Sequence, residues 1–355
     1  MKEIEIKLFE AIENKDEKEA SFLIEQGVNL NVQDQNGETF LMKATQKECW
    51  PIVTRILLKG CDLNLQNMKG ETILNQAVAK GYEPFSLYLI PRMKNLNTTD
   101  HQKQRTPLMM AIETNQPKTA LKLIESNANL DKKDLHGFAP LHQAIYYEQK
   151  QVVQALIKKG ADVNIKDASG KTPLIQNVLY GSLEMGELLI KNGAKIEERD
   201  YSEKTALLHA VETGVFPHVF CLIANGANVN QTDAFGETVM MKAIKSNKVK
   251  TVKLLLANGV NVNQQNNDGQ TALMVAAKEN LAYLTEILLR HHADTYIRDK
   301  NGKDAWGYAC IYHAKSVRAV MKKMQHESKT GRRDILATHP YKLYRNISCK
   351  QHEKE

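Results

Sequence analysis

The pattern of apolar and polar positions along this chain repeats at an interval of 33 residues. A block close to Asp-x-x-Gly-x-Thr-x-Leu recurs, and its threonine positions are 33 residues apart except for one step of 34. One added residue near Asp100 accounts for the longer step. The threonine position is occupied by Thr39, Thr72, Thr106, Ala139, Thr172, Thr205, Thr238, Thr271 and Asp304.

Each block predicts a short helix followed by a second one. A leucine two positions after the threonine and an alanine three further on, such as Leu41 and Ala44, share one helix face. An apolar cluster such as Val152 to Ile157 comes next and precedes Gly160, which suits a helix that ends in a left-handed conformation. Each unit therefore predicts a turn, a helix, a tight connection, a second helix and an extended return to the next turn.

A unit of this size cannot bury its own apolar face, so its neighbours must stack on both sides. Alanine at the inter-helix position allows the helices to approach closely. Asn177 occupies that position in the sixth unit. It has two interpretations: a tolerated polar residue bonded to backbone, or a local gap left for function.

These blocks resemble the ankyrin repeat family. The segment from Phe138 to His142, with Ala144, is similar to the family's T-P-L-H-x-A block, and Leu156 to Asn164 is similar to L-L-x-x-G-A-D-V-N. The resemblance covers about nine tenths of the chain. It implies an all-α ankyrin repeat solenoid of about ten 33-residue helix-turn-helix units with protruding β-turns.

We expect one continuous repeat array over residues 1–326, followed by a basic C-terminal tail over residues 327–355. Three parts of the array depart from the regular unit. They are an N-terminal cap at 1–33, an irregular unit at 67–100, whose predicted second helix lies between Pro84 and Pro91, and a C-terminal cap at 299–326 with Asp304 and Trp306.

Composition fits a soluble folded protein, since 42% of the residues are hydrophobic and 25% are charged. No apolar run reaches the roughly 18 residues that span a bilayer, so no membrane span is expected. The first ten residues are charged and mixed, unlike a cleaved leader. We therefore expect a cytoplasmic protein, or one exported by a route that needs no such leader.

The five cysteines are scattered and never form a Cys-x-x-Cys pair. This spacing indicates a reducing compartment and argues against a disulfide framework or a zinc site. We expect four of them to be packing residues and Cys349, in the polar tail, to be exposed. The four are Cys49, Cys61, Cys221 and Cys310.

The net charge of +7 is located at one end of the chain. Residues 313–355 hold 11 Lys and Arg against 4 Asp and Glu, so the rest of the chain is balanced. The basic tail contains neither a stacking platform nor a helix-turn-helix pattern. No nucleic-acid partner is therefore expected.

No pattern of catalytic residues stands apart from the repeat. No Ser-His-Asp, Cys-His or paired-carboxylate grouping stands apart from the repeat register, and no phosphate-binding glycine loop of the GxxxxGK[ST] or GxGxxG type occurs. The adjacent His291 and His292 predict a solvated helix end rather than a metal site, and His142 is a structural hydrogen-bonding residue of the family. The sequence therefore predicts no enzyme, no cofactor, no metal and no small-molecule substrate.

The resemblance places a protein partner on the concave face and the turn tips. The corresponding positions are polar in the outer units and aromatic at the centre. Aromatic rings at such positions favour binding, because they bury a large area at small entropic cost. The alternative is that some rings pack into the turn of the next unit. The predicted partner-binding residues are His136, Phe138, Tyr146, Tyr147, Tyr180, Tyr201 and Phe235.

The favoured hypothesis is a non-catalytic, monomeric scaffold or adaptor for a protein partner. One alternative is an ankyrin-repeat effector of an intracellular bacterium that acts in the host cytoplasm. Another is an adaptor that recruits enzymatic machinery through its basic C-terminal tail. The resemblance also makes Asn164 a modification candidate, because Leu156, Asp162, Val163 and Asn164 match the L-x5-[DE]-V-N pattern of an asparaginyl hydroxylase that acts on ankyrin repeats.

Overall fold

The structure, a computed structural model, describes residues 2–329, without the side chains of residues 328 and 329. Within this range the chain forms twenty α-helices and one short 3-10 helix, and no β-strand. This confirms the prediction of an all-α repeat architecture. Residues 330–355, which include Cys349 and most of the predicted tail, lie outside the described residues.

The chain divides into two compact bodies, residues 1–168 and residues 169–355. In the N-terminal body each repeat contributes two helices that pack on each other, and each first helix also packs on the first helix of the next repeat. Its helices are α1 (Glu3–Glu13), α2 (Glu17–Glu25), α3 (Phe40–Gln46), α4 (Trp50–Lys59), α5 (Ile73–Ala79), α6 (Glu83–Leu89), α7 (Pro107–Glu113), α8 (Pro117–Glu125), α9 (Pro140–Tyr146) and α10 (Lys150–Lys158).

The C-terminal body has the same order of helix pairs. Its last helix continues to Lys329, beyond the predicted end of the array at residue 326. The helices are α11 (Pro173–Tyr180), α12 (Leu183–Lys191), α13 (Ala206–Thr213), α14 (Phe216–Ala224), α15 (Val239–Lys245), α16 (Val249–Ala257), α17 (Ala272–Lys278), α18 (Ala282–Arg290), α19 (Ala305–Ile311) and α20 (Lys315–Lys329).

The repeated threonine position is the N-cap of the first helix in the second to tenth repeats. The Thr39 hydroxyl accepts a hydrogen bond from the N–H of Met42 at 3.2 Å, and Asp304 accepts one from Gly307 at 2.8 Å. A cap of this kind stabilises a helix by about 1 kcal/mol. Ala139 has no such oxygen, and its own N–H donates to Nδ1 of His142 at 3.3 Å instead. His142 is fully buried there, which fits a structural role.

The extended returns between repeats are joined by side-chain hydrogen bonds. Asn31 Oδ1 accepts from the N–H of Asp62 at 2.7 Å in the N-terminal body, and Asn230 Oδ1 accepts from Asn261 at 2.7 Å in the C-terminal body. The modification candidate Asn164 is half-buried in the same register, with its N–H donating to Asp162 at 2.8 Å. These bonds satisfy backbone groups that helix pairs alone leave unpaired.

The third repeat has a short second helix for a visible reason. Pro84 lies in the first turn of α6, where its missing N–H removes no intrahelical bond. Pro91 lies at the other end, in a 3-10 helix at Ile90–Arg92 that follows α6 directly. The added residue near Asp100 lies in the following turn, where Gln104 N–H donates to the Asp100 carbonyl at 3.0 Å.

The prediction that four cysteines are packing residues is wrong for Cys310. Cys49 and Cys221 are buried and Cys61 is half-buried, but Cys310 is exposed. Its counterpart in the preceding repeat, Ala277, is fully buried. Cys310 lies on α19 of the last described repeat, and no further helix pair within residues 2–329 covers it.

Asn177 on α11 is fully buried, and neither atom of its amide makes a hydrogen bond within the described residues. The interpretation of a polar residue bonded to backbone is therefore wrong. Two glycines make room for the side chain. A Cβ at Gly181 would lie 2.1 Å from Asn177 Oδ1, and a Cβ at Gly186 would lie 2.8 Å from Asn177 Nδ2.

The connection after Asn177 is altered as well. Gly181 has a φ of −102°, whereas the corresponding Gly214 of the next repeat has a φ of 74°. Ser182 then caps α12 by accepting from the N–H of Met185 at 3.3 Å. The unpaired, buried amide of the sixth repeat is thus accompanied by three local features: Gly181, Gly186 and the Ser182 cap.

Asn177→Leu should raise the free energy of unfolding by about 1–2 kcal/mol, because it replaces an unpaired amide by an apolar group of similar shape. Chemical denaturation of the whole chain measures this. Ala210→Leu is the matched control in the seventh repeat, where Val219 replaces the second glycine, and overpacking should cost about 1–3 kcal/mol there. A destabilised Asn177→Leu variant would contradict the assignment of an unpaired amide.

Candidate partner-binding surface

The turn before each first helix is fixed by the carboxylate or amide with which it begins. Asp134 Oδ1 accepts from the N–H groups of His136 and Phe138, both at 2.9 Å. Asp233 Oδ1 accepts in the same way from Phe235 and Glu237. The two middle residues of each turn are therefore held at its tip.

Consecutive turns are joined by a backbone hydrogen bond, here called a rung. Gly137 allows the close approach, since a Cβ on it would lie 2.3 Å from the N atom of Ala168. In the N-terminal body the N–H of Met68 donates to the carbonyl of Asn36, that of His101 to Lys69, that of Leu135 to Lys103 and that of Ala168 to His136. In the C-terminal body rungs join Tyr201 to Ser169, Asn267 to Phe235, and Lys300 to Asp268.

The second oxygen of the turn carboxylate binds a side chain of the following first helix. The partner lies nine residues later and differs chemically from repeat to repeat. The pairs are Asp134 with Gln143 at 3.0 Å, Asp200 with His209 at 2.8 Å, Asp233 with Lys242 at 2.8 Å and Asp299 with Tyr308 at 2.9 Å. These carboxylates are therefore already engaged within the fold.

Four of the predicted partner-binding residues lie on the N-terminal body. Tyr146 and Tyr147, at the end of α9, are both exposed, and their rings stand perpendicular with centroids 5.1 Å apart. His136 at the turn tip is exposed, and its ring centroid is 6.2 Å from that of Phe138. Phe138 is half-buried and lies 5.9 Å from the buried ring of His142, so part of its area is used within its own repeat.

The hydroxyl of Tyr147 stays protonated at neutral pH. Burial raises the pKa of Tyr147, and the negative charge of Glu113 raises it further, against the opposing effect of Arg105. Arg105 is itself held by Asp100 and Glu113 at 2.9 and 2.5 Å. Tyr147 can therefore offer a partner both a ring face and a hydrogen-bond donor.

The other three predicted residues lie on the C-terminal body. Tyr180 is exposed at the end of α11. Tyr201 and Phe235 lie at the tips of consecutive turns and are 75% and 74% exposed. The Tyr201 ring lies over the preceding turn, because a Cβ on Gly170 would come within 2.7 Å of its Cδ1 atom.

An aromatic residue that the sequence reasoning missed is Tyr312. It follows Tyr180 by four repeats of 33 residues, so it occupies the same position as Tyr147 and Tyr180, and it too is exposed. Its ring stacks on that of Tyr308 at 6.1 Å, and Lys278 Nζ lies 5.6 Å from its centroid. The 33-residue register contains this signal, although the sequence pattern of the last repeat predicts only a cap.

Charged side chains form a network between the turns and first helices of the C-terminal body. Lys242 Nζ lies 2.9 Å from Glu212, 2.8 Å from Asp233 and 3.1 Å from Glu237. Burial alone would lower the pKa of Lys242, but these three carboxylates raise it. Burial would conversely raise the pKa values of these carboxyls. The pKa of Glu212 is held below its ordinary range by Lys204 and Lys242, that of Glu237 by Lys245 and Lys242, and that of Asp233 by Lys242 and backbone N–H groups.

Lys242→Met should lower the free energy of unfolding at neutral pH by about 3 kcal/mol, since it leaves the buried carboxylate of Asp233 without its cation. Glu212 and Glu237 keep their contacts with Lys204 and Lys245. Carboxyls with lowered pKa values stabilise the fold above their ordinary pKa near 4, and this contribution is lost as the pH falls through the lowered values. The difference in the free energy of unfolding between variant and parent should therefore become smaller below about pH 4.

Denaturation curves at several pH values measure this difference. Lys245→Met is the control, because Lys245 contacts Glu237 from a position that is 44% exposed and should contribute less than about 1 kcal/mol. If Lys242→Met and Lys245→Met lowered the free energy of unfolding equally at neutral pH, this would contradict the expectation that the more buried lysine contributes more.

Within residues 2–329 no group of three or more His, Cys, Asp or Glu side chains is placed to hold a metal ion. His292 has a φ of 64° in the position that glycine takes in other repeats, at the end of α18.

No described helix combines the length and the apolar character that crossing a bilayer requires.

Comparison with known protein families gives five overlapping matches to the family described as ankyrin repeats (3 copies). They cover residues 8–100, 46–134, 85–167, 141–233 and 207–299. No curated protein matches the chain in sequence. Ankyrin repeats are generally protein–protein interaction modules, and the family is typically non-catalytic. Because the matches span well over half of the chain, and the helix pairs keep the same register, the chain belongs to the ankyrin repeat family.

Proposed function

We propose that this protein is a non-catalytic scaffold that holds a protein partner against its turn tips and the ends of its first helices. One observation supports the proposal above others: exposed aromatic rings occupy positions that the fold does not need for packing. They are Tyr146 and Tyr147 on the N-terminal body, and Tyr180, Tyr201 and Phe235 on the C-terminal body.

The polar groups around these rings are mostly used within the fold. The turn carboxylates bind backbone N–H groups with one oxygen and a helix side chain with the other. Such groups would gain little from a partner, whereas an exposed ring gains the area that it buries. Recognition should therefore depend on the rings, with the charged residues contributing mainly to orientation.

The His209 and Asp200 pair is the arrangement most similar to catalytic chemistry. Its 2.8 Å contact repeats the link that Gln143 makes with Asp134 in another repeat. Glutamine cannot act as an acid or a base, so the position selects for a hydrogen-bonding link. We therefore assign the histidine pair to the same structural role.

The two alternative hypotheses remain predictions. A bacterial effector and an adaptor that recruits enzymatic machinery both depend on the basic tail, most of which lies outside the described residues. The cytoplasmic location and the monomeric state likewise remain predictions from the sequence.

Replacement of both Tyr147 and Tyr180 by alanine should weaken partner binding by about 2 kcal/mol or more, the usual magnitude for central aromatic residues. A partner isolated by affinity capture, followed by calorimetric titration, provides the measurement. The control is the double variant Lys103→Ala with Asn267→Ala, at turn positions in outer repeats, where rim residues change affinity little. Normal binding by the tyrosine variant and weak binding by the control would place recognition elsewhere.

Asn164 remains a candidate for hydroxylation, on the strength of the family resemblance alone. Co-expression with the asparaginyl hydroxylase and mass spectrometry should find one added oxygen on Asn164. Asn230 is an internal control, because Leu222, Val229 and Asn230 match the pattern while Asn228 replaces the acidic residue. An unmodified Asn164, or equal modification of Asn230, would contradict the proposal.

A further inference from the structure

The second helix of each repeat shows which of its side chains face the neighbouring repeats. Its third residue is fully buried in the last described repeat, as Val317, but exposed in the first, as Glu19. Its fourth residue is fully buried in the first repeat, as Ala20, but only half-buried in the last, as Arg318. The preceding repeat therefore covers the third residue, and the following repeat covers the fourth.

A charged residue replaces a packing residue at each end of the described array. Between the ends, the third position holds residues such as Val152, and the fourth holds small or β-branched residues such as Val153 and Thr285. All three of these side chains are fully buried. Glu19 instead places a carboxylate on the face of the first repeat that no repeat within residues 2–329 covers. Arg318 places a guanidinium on the corresponding face of the last repeat.

The two charges are available to a partner. Neither Glu19 nor Arg318 forms an ion pair within residues 2–329. The lysine nearest in effect to Glu19 is Lys7, whose ammonium bonds Glu3 at 2.8 Å. That contact, more than the charge of Glu19, raises the pKa of Lys7.

The helix pairs that carry these residues have opposite net charge. Residues 3–25, which form α1 and α2, hold eight acidic and three basic side chains. Residues 305–329, which form α19 and α20, hold one acidic and five basic side chains. The two ends of the described array are therefore complementary in charge as well as in register.

Apolar side chains are also left uncovered at the C-terminal end. Trp306 is half-buried and Cys310 is exposed. Their counterparts in the preceding repeat, Leu273 and Ala277, are fully buried. A terminal repeat that serves only solubility has a polar outer face. This end instead keeps the packing character of a surface that receives another repeat.

We propose that the C-terminal end of one copy of this protein stacks on the N-terminal end of a second copy, as if the array continued. Glu19 of the second copy then meets Arg318 of the first, because the third position faces the preceding repeat and the fourth faces the following one. The first helix pair of the second copy covers Trp306 and Cys310, as the next repeat covers their counterparts.

Charge favours a second copy over the chain's own tail as the occupant. Residues 330–355, which follow α20 directly, hold six Lys or Arg against three Asp or Glu. Their net positive charge is repelled by that of α20. The acidic helices α1 and α2 of a second copy are attracted to α20 instead.

The contact joins two different surfaces, so two copies do not close it and further copies can be added. One ion pair and one repeat interface hold the copies together, so association is weak and depends on salt. The monomer predicted from the sequence then prevails at low concentration. The predicted partner-binding residues are not part of the contact, so the inference does not depend on the proposed function. A chain of copies presents that surface several times to a multivalent partner.

Charge reversal tests the contact in the whole chain. By sedimentation equilibrium, the average mass of the parent should rise with concentration at about 50 mM salt, and much less at about 500 mM. The dissociation constant for self-association should rise at least about tenfold in Arg318→Glu and in Glu19→Arg, because each variant opposes two like charges. Lys323→Glu is the control, since it makes the same charge change on α20 at an exposed position whose counterparts, such as Lys158 and Arg290, are exposed too.

A mixture of the two charge-reversed variants provides a second test. In an alternating chain, the altered end of Arg318→Glu meets the altered end of Glu19→Arg, and the two unaltered ends meet as in the parent. Every junction then joins opposite charges. The mixture should associate about as strongly as the parent, although neither variant does so alone. Recovery on mixing also shows that both variants are folded.

A parent chain that stays monomeric up to about 1 mM at low salt would overturn the proposal. So would equal weakening by Lys323→Glu and Arg318→Glu, or a mixture of the two charge-reversed variants that does not associate. Loss of association in Arg318→Glu but not in Glu19→Arg would mean that another group meets Arg318, and it would overturn the proposal as well. The proposed function is tested separately, by the tyrosine variants.

Discussion

The close contact between the first helices of neighbouring repeats is the constraint on which the other features depend. A single helix pair cannot bury its apolar face, so stability comes from its neighbours. The small, fully buried alanines, such as Ala44 and Ala210, set how closely neighbours approach. That distance also brings consecutive turns close together: a Cβ on Gly137 would lie 2.3 Å from the N atom of Ala168, and one on Gly236 would lie 2.8 Å from the N atom of Asn267.

Because the turns follow from this packing, the exposed surface is largely fixed before any partner is considered. The turn aspartates, their helix partners and the network around Lys242 satisfy one another. The exposed rings are the groups for which we propose a role in recognition. A rigid surface of this kind loses little conformational freedom when it binds, which favours affinity for a given buried area.

The fold could be predicted from the sequence because its signal is a sum over many repeats. The threonine caps, the alanine contacts and the glycine stops each recur in register, so an error at one position changes nothing. The exposure of Cys310 could not be predicted in this way, because it depends on which neighbour is absent rather than on the residue itself. The register of Tyr312 is visible in the sequence, but Asp304 and Trp306 depart from the repeat pattern in the same unit and predict only a cap there.

At two further positions the repeat pattern of the sequence is not enough to predict the structure. Asn177 and Glu203 are visible in the sequence as departures from consensus, but their consequences are not. Whether a buried amide finds a partner is decided by differences of tenths of an ångström. So is whether a turn with a side chain at the glycine position bonds to the next turn, which happens at Gln104 but not at Glu203. The seven predicted aromatic positions share this limit: the sequence gives their register, and only the structure separates the half-buried Phe138 from the exposed Phe235.

The unpaired amide of Asn177 also has a mechanical meaning. In an array whose stability is a sum over neighbours, tension along the chain is borne by every interface in series, and the weakest repeat yields first. The sixth repeat combines a desolvated amide with two glycines and an altered connection, so we expect it to be that link. A load applied through a bound partner would then be released by the opening of one helix pair, while the repeats on either side keep their own neighbours.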